Sequence, residues 1–168
     1  MRDPEVLAMS SPAPTTPAPT QSRLQRSWDA TVRYLLRSRL HRIFSGKLLI
    51  ITVVGRKTGR EYANPVGYAS YEGDLLVGTA ARWRRNLRDG ESVRVTLRGR
   101  EIRADWEVIT EEEPIVELYR IILEQNPVHG RFAGISLDAD VSVNRAQLRA
   151  ALAGGTAVVR LRPRDASR

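Results

Sequence analysis

The chain has 168 residues, 42% of them hydrophobic, which is enough for one domain with its own core. Cysteine is absent and His41 and His129 are the only histidines, so disulfide and thiolate chemistry are excluded and no metal site is expected. The formal charge is +8 and the pI about 10.7, and all but Lys47 and Lys57 of the 27 basic residues are arginine; arginine forks match phosphates and carboxylates, so the residues call for an anionic partner, unless the arginine share reflects only codon composition.

Residues 1–22 are rich in proline, serine and threonine and read as a disordered leader. No apolar signal region lies in Met1–Gln21, and no run approaches the ~18 apolar residues of a membrane span, so a cytoplasmic protein is expected. A single domain is expected over residues 23–162, followed by a flexible tail at 163–168. Leu24, Trp28, Val32, Leu35, Leu36, Leu40 and Ile43 recur at helical spacing, with Arg23, Arg26, Arg33 and Arg37 along one flank. Such an amphipathic helix either packs on its own domain or lies, peripherally, on an anionic membrane surface.

Leu48–Val54 reads as a strand buried on both faces. The segment Gly55-Arg56-Lys57-Thr58-Gly59-Arg60 follows, a tight connection carrying three cations and a hydroxyl. It is either a soluble hairpin tip or an anion cradle. It is not a Walker A loop, because Arg56 stands where that motif needs glycine before the lysine, so nucleotide hydrolysis is not supported. Glu61–Tyr71 reads as a second strand, placed at an edge or given a bulge by Pro65, which has no amide hydrogen. After the Glu72-Gly73-Asp74 turn comes a third strand, Leu75–Thr79. Ala80–Asp89 reads as a helix in which Trp83 and Leu87 share a face and Asn86 lies one turn from Trp83.

Val93–Leu97 and Ile102–Val108 alternate as the two arms of a hairpin about Arg98-Gly99-Arg100. Thr110-Glu111-Glu112-Glu113 has capping-box spacing before a helix with Ile115, Leu118, Tyr119 and Ile122 on its apolar face. A loop is expected over Asn126–Asp140, then a short helix capped by Asn144 and ended by Gly154-Gly155, then a final strand Ala157–Leu161. Five or six strands joined mostly by tight turns define an α+β chain built on a small closed or half-open antiparallel barrel. Connections as short as residues 98–100 rule against a parallel doubly wound sheet.

The strand followed by Gly55-Arg56-Lys57-Thr58-Gly59, then Pro65-Val66-Gly67-Tyr68, the Gly73-Asp74 turn, Thr79 and Trp83-Arg84-Arg85-Asn86-Leu87 together resemble the deazaflavin-dependent nitroreductase family. These are oxidoreductases on a split β-barrel of the FMN-binding type. The resemblance is strongest over Lys47–Val108. It implies coenzyme F-420, a hydride carrier with a phospholactyl and polyglutamyl tail, rather than FMN, and an electron-poor acceptor such as a quinone, an activated alkene or a nitroaromatic. By analogy Arg56, Lys57, Thr58 and Arg60 hold the phosphate and nearby carboxylates, and Pro65, Val66, Gly78 and Thr79 line the ring. Asn86 reaches the phosphate region and Trp83 braces the short helix; where many relatives carry a lysine this chain has Arg82, so either Arg82 substitutes for it or one tail contact is missing. Tyr68, Thr79 or water relays the proton. No tyrosine follows Tyr119, so His129 and Phe132, with Arg131, are expected to shape the substrate pocket, and the resemblance allows a homodimer.

The rival reading is a non-catalytic barrel that binds a lipid, a fatty acid or a membrane surface. Nucleic-acid binding is disfavoured, because the aromatics do not interleave with arginine along one sheet face and no nucleic-acid motif is present.

Overall fold

A computed structural model of the chain describes residues 47–164, so the expected leader and the amphipathic segment Arg23–Phe44 lie outside the described residues. Seven strands form one antiparallel sheet: β1 Leu48–Val54, β2 Glu61–Gly67, β3 Ala69–Tyr71, β4 Asp74–Thr79, β5 Val93–Leu97, β6 Arg100–Ile109 and β7 Ala157–Pro163. Their order across the sheet is β2-β1-β5-β6-β7-β4-β3. The two outermost strands, β2 and β3, are consecutive in the chain and separated by Tyr68 alone. Two residues span at most about 7 Å, so the sheet must curl until its edges meet at that point. The result is the expected split antiparallel barrel, closed there by the covalent chain instead of by a ladder of hydrogen bonds.

The stretch Glu61–Tyr71 is therefore one bent strand serving both edges. Pro65 lies in β2 opposite Ile50, on an edge where its missing donor leaves no bond unmade. Tyr68 at the bend is buried among Leu49, Ile51, Leu75, Val77, Trp83, Val95 and Leu161, the interior of the barrel. β1 is buried on that inner face only: Leu49, Ile51 and Val53 are enclosed, whereas Leu48, Ile50 and Thr52 are half exposed, which corrects the expectation of burial on both faces. The strands closed on both sides are β4 and β7. Their alternate residues Leu76 and Val158 belong to a second cluster with Ile115, Tyr119 and Leu148, contributed by helices on the outer face.

Those helices are α1 Glu112–Gln125, α2 Pro127–Ala133 and α3 Arg145–Ala153. α2 replaces the expected loop over Asn126–Asp140. Its punctuation is visible in the sequence, with proline in its first turn and Gly134 in the left-handed conformation after it. The α1 capping box does not form: Glu113 is taken by Arg145 at 2.7 Å, and the Thr110 amide donates to Glu111 at 3.2 Å. At α3, Asn144 caps as expected, accepting from the Gln147 amide at 3.0 Å. The helix expected over Ala80–Asp89 shortens to a 3-10 turn, Arg82–Asn86, because Leu87 is already extended and leads on toward β5. Among the described residues no helix is long and apolar enough to cross a membrane.

Candidate functional site

The β1–β2 connection is shaped by Gly55. A Cβ there would stand 2.7 Å from both Thr58 Oγ1 and Tyr62 Cε2, so only glycine lets the turn fold back on β2. Thr58 Oγ1 then lies 3.1 Å from the Tyr62 hydroxyl and accepts from the Arg60 amide at 3.3 Å. Thr58 thus holds the turn together, while Arg56, Lys57 and Arg60 stand in solvent around it.

Across a gap of thirty residues in sequence, the 3-10 turn docks against this connection. The Arg56 amide donates to Asn86 Oδ1 at 3.2 Å, and its guanidinium donates to the Leu87 carbonyl at 2.6 Å. One arm of Arg56 is therefore a brace. Asn86 likewise positions the cationic turn, a role the sequence does not announce. Trp83 is enclosed in the barrel interior, and its indole N–H is buried with no acceptor among the described residues. An enclosed donor of this kind costs about 1–3 kcal/mol unless something else accepts from it.

The two docked segments carry Arg56, Lys57, Arg60, Arg82, Arg84 and Arg85. Among the described residues none of these has a carboxylate within ion-pairing distance. Of the other arginines, Arg94 meets Glu61 at 2.6 Å, Arg120 meets Glu117 at 2.6 Å and Arg160 meets Asp74 at 2.9 Å, whereas Arg98, Arg100, Arg103 and Arg131 are scattered cations that also lack a carboxylate in reach among the described residues. One end of the barrel thus keeps an uncompensated positive rim, the arrangement that draws and holds an anion.

Thr79 closes β4 beside this rim. Its hydroxyl accepts from the Ala81 amide at 3.0 Å, and its side chain shares the inner face of β4 with Leu75 and Val77. Gly78 faces the opposite way. A Cβ on Gly78 would meet His129 Nε2 at 2.6 Å and the Tyr119 hydroxyl at 2.8 Å, so the two neighbours expected to line one ring present themselves on opposite faces of the strand. Pro65 and Val66 are half-buried on β2, and Tyr68 is enclosed.

His129 lies in α2 against that outer face, its Nε2 3.4 Å from the Tyr119 hydroxyl. Burial holds its imidazole below the usual value of 6.5 and pushes the Tyr119 phenol well above its own, so both are neutral near pH 7. Phe132, one helical turn away, is 61% exposed. The structure therefore separates the two expected pocket residues, with His129 packed beneath β4 and Phe132 at the surface. Arg82 is exposed at the start of the 3-10 turn. Among the described residues no cluster of His, Asp or Glu has the makings of a metal site.

Curled sheet and unpaired rim together define a split-barrel protein with an arginine-rich end. Residues 24–144 match the model of the F420H(2)-dependent quinone reductase family, and the chain belongs to that family. No curated protein matches the chain. Among solved structures, an F420-H2 dependent reductase is similar at 13% identity and a TM-score of 0.44, covering 67% of this chain and 93% of its own. A structure described as a domain-swapped dimer matches at 13% identity and a TM-score of 0.47, over 83% of this chain and 99% of its own. The heme storage protein HutZ of Vibrio cholerae matches at 14% identity and a TM-score of 0.45, over 77% and 91%. At these values none of the three bears on the chemistry of this chain.

Proposed function

We infer that the chain is a deazaflavin-dependent oxidoreductase that holds reduced coenzyme F-420 at the cationic rim and delivers hydride to an electron-poor acceptor, a quinone first, with activated alkenes and nitroaromatics as related acceptors. The observation that carries this reading is the rim itself: six cations that meet no carboxylate among the described residues, on two segments tied to each other by Asn86 and Arg56. Family membership supplies the cofactor class. The residues present fit such a group, because a phosphate and carboxylates need donors that no protein acid has already claimed.

Lys57, Arg60 and the free arm of Arg56 bind the acidic part, with Arg82 and Arg85 flanking it. Asn86 keeps the turn in place by holding the Arg56 amide, and Thr58 stiffens it from within. Thr79 and the half-buried Val66, which packs against the interior cluster, present the barrel wall to the ring, while Pro65 faces the other way; Thr79 Oγ1 is the hydroxyl available to hold or pass a proton there. When bound, the reduced deazaflavin supplies the hydride; this chain supplies orientation, charge and exclusion of water. Tyr68 is enclosed in the interior, which leaves Thr79 or water as the better candidate for the proton.

The test is a fluorescence titration of the purified protein with oxidised deazaflavin coenzyme and, in parallel, with FMN. Tight deazaflavin binding and weak FMN binding are expected. In the Arg56→Ala/Lys57→Ala double variant each lost charge-assisted contact costs about 1.5–3 kcal/mol, so affinity falls at least about tenfold. Unchanged affinity in the double variant removes the rim as the site. Absence of deazaflavin binding by the unaltered protein removes the reading altogether.

A further inference from the structure

We propose that Arg84, to which neither the sequence pattern nor the family resemblance gives a task, is the positioning residue of the cofactor site: a two-armed clip that fixes Thr79 and the 3-10 turn relative to the rest of the barrel. The proposal rests on the deazaflavin reading of this end of the molecule. Arg84 is half-buried within Arg82–Asn86, and its guanidinium reaches two backbone carbonyls at once. Nη1 donates to the Thr79 carbonyl at 2.8 Å and Nη2 to the Gly155 carbonyl at 2.6 Å.

These two carbonyls mark the end of β4 and the approach to β7, strands that pair directly, with Thr79 opposite Ala157. A single planar fork thus bridges the ends of two central strands, a geometry that arginine makes and lysine, a point donor, does not. The same short segment carries Asn86, which holds the Arg56 amide at 3.2 Å, and is followed by Leu87, whose carbonyl receives the Arg56 guanidinium. Displacing Arg84 therefore frees both halves of the site together, the hydroxyl of Thr79 on one side and the cationic turn on the other. A brace that served folding alone would have no reason to join those two points. Its charge also meets no carboxylate among the described residues and adds to the field of the rim.

The experiment compares Arg84→Lys and Arg84→Ala with the unaltered protein by four readouts: melting temperature, deazaflavin affinity, the single-turnover rate of hydride transfer to a quinone at saturating reduced cofactor, and hydrogen exchange at the Ala81 amide without cofactor. That amide donates to Thr79 Oγ1 at 3.0 Å and so reports how firmly the Thr79 side chain is held when Arg84 no longer fixes the Thr79 carbonyl. In Arg84→Lys the charge stays and the fork is lost. The expected result is a melting temperature close to the unaltered value, with affinity and transfer rate each down by about tenfold or more, as misplacement of reacting groups produces, and faster exchange at Ala81. If Arg84→Lys restores affinity, rate and exchange, charge alone is what matters and the positioning role is overturned. If both variants lower only the melting temperature, Arg84 is a folding brace and the proposal likewise falls. Should the unaltered protein bind no deazaflavin, the cofactor reading fails on its own, while exchange at Ala81 still decides whether Arg84 holds Thr79.

Discussion

Replacing Gly78 by alanine tests the packing of α2 on the barrel. The added methyl would lie 2.6 Å from His129 Nε2, 3.1 Å from His129 Cε1 and 2.8 Å from the Tyr119 hydroxyl. Tyr119 is fully enclosed and cannot withdraw, whereas His129 sits in the seven-residue α2 and keeps some contact with solvent. The strain is therefore relieved by moving His129, and the Tyr119 hydroxyl then loses its partner at 3.4 Å. Overpacking of this kind costs about 1–3 kcal/mol and an unpaired buried hydroxyl about 1–3 kcal/mol; sharing one cause, they combine to about 2–4 kcal/mol. For a chain of this size that lowers the melting temperature by about 10 °C, read by calorimetry or circular dichroism. In a His129→Ala background the cost of the same substitution should fall by about 1 kcal/mol or more, because two of the three crowded contacts are gone. An equal cost in both backgrounds, or one below about 0.5 kcal/mol in the native background, would refute the assignment of Gly78 as the residue that admits His129.

His129 also makes stability depend on pH. Its folded pKa is depressed by burial, so the unfolded chain binds more protons as pH falls through the usual value of 6.5; stability present above that value is lost toward the lower folded pKa. Denaturant melts at falling pH should show this slope, and His129→Gln should remove its share. Asn144→Ala removes the cap on the Gln147 amide and should cost about 0.5–2 kcal/mol while leaving deazaflavin affinity unchanged; a change in affinity would mean that α3 communicates with the rim.

Strong local signals carried most of the architecture. The hairpin about Arg98-Gly99 pairs Val93 with Ala104 and Val95 with Ile102, as strict alternation requires. Pro65 allowed an edge or a bulge and stands on the edge, and Asn144 marked a helix start. What the residues did not disclose depends on long-range partners. β1 carries a longer apolar run than β4, yet β4 is the strand closed on both faces, because the helices settle over β4 and β7. The capping box at Thr110 was lost to Arg145, more than thirty residues away in sequence. At the site, the cationic turn was legible from its glycines and charges, but the bracing roles of Arg56, Arg84 and Asn86 were not. Each bonds to backbone that only the folded chain brings near, and a backbone amide or carbonyl leaves no mark in the amino-acid code.

The strand order carries a consequence for synthesis. β2-β1-β5-β6 and β4-β3 are both complete before β7 exists, joined by the chain at Tyr68 but hydrogen-bonded to each other only through β7, which lies between β6 and β4. A growing chain can therefore assemble two ribbons hinged at Tyr68, each with a raw border, and must wait for its seventh strand to stitch those borders together. Removing Ala157–Pro163 should leave no closed barrel behind, only two ribbons joined at Tyr68 whose unsealed borders are inclined to stick to their neighbours.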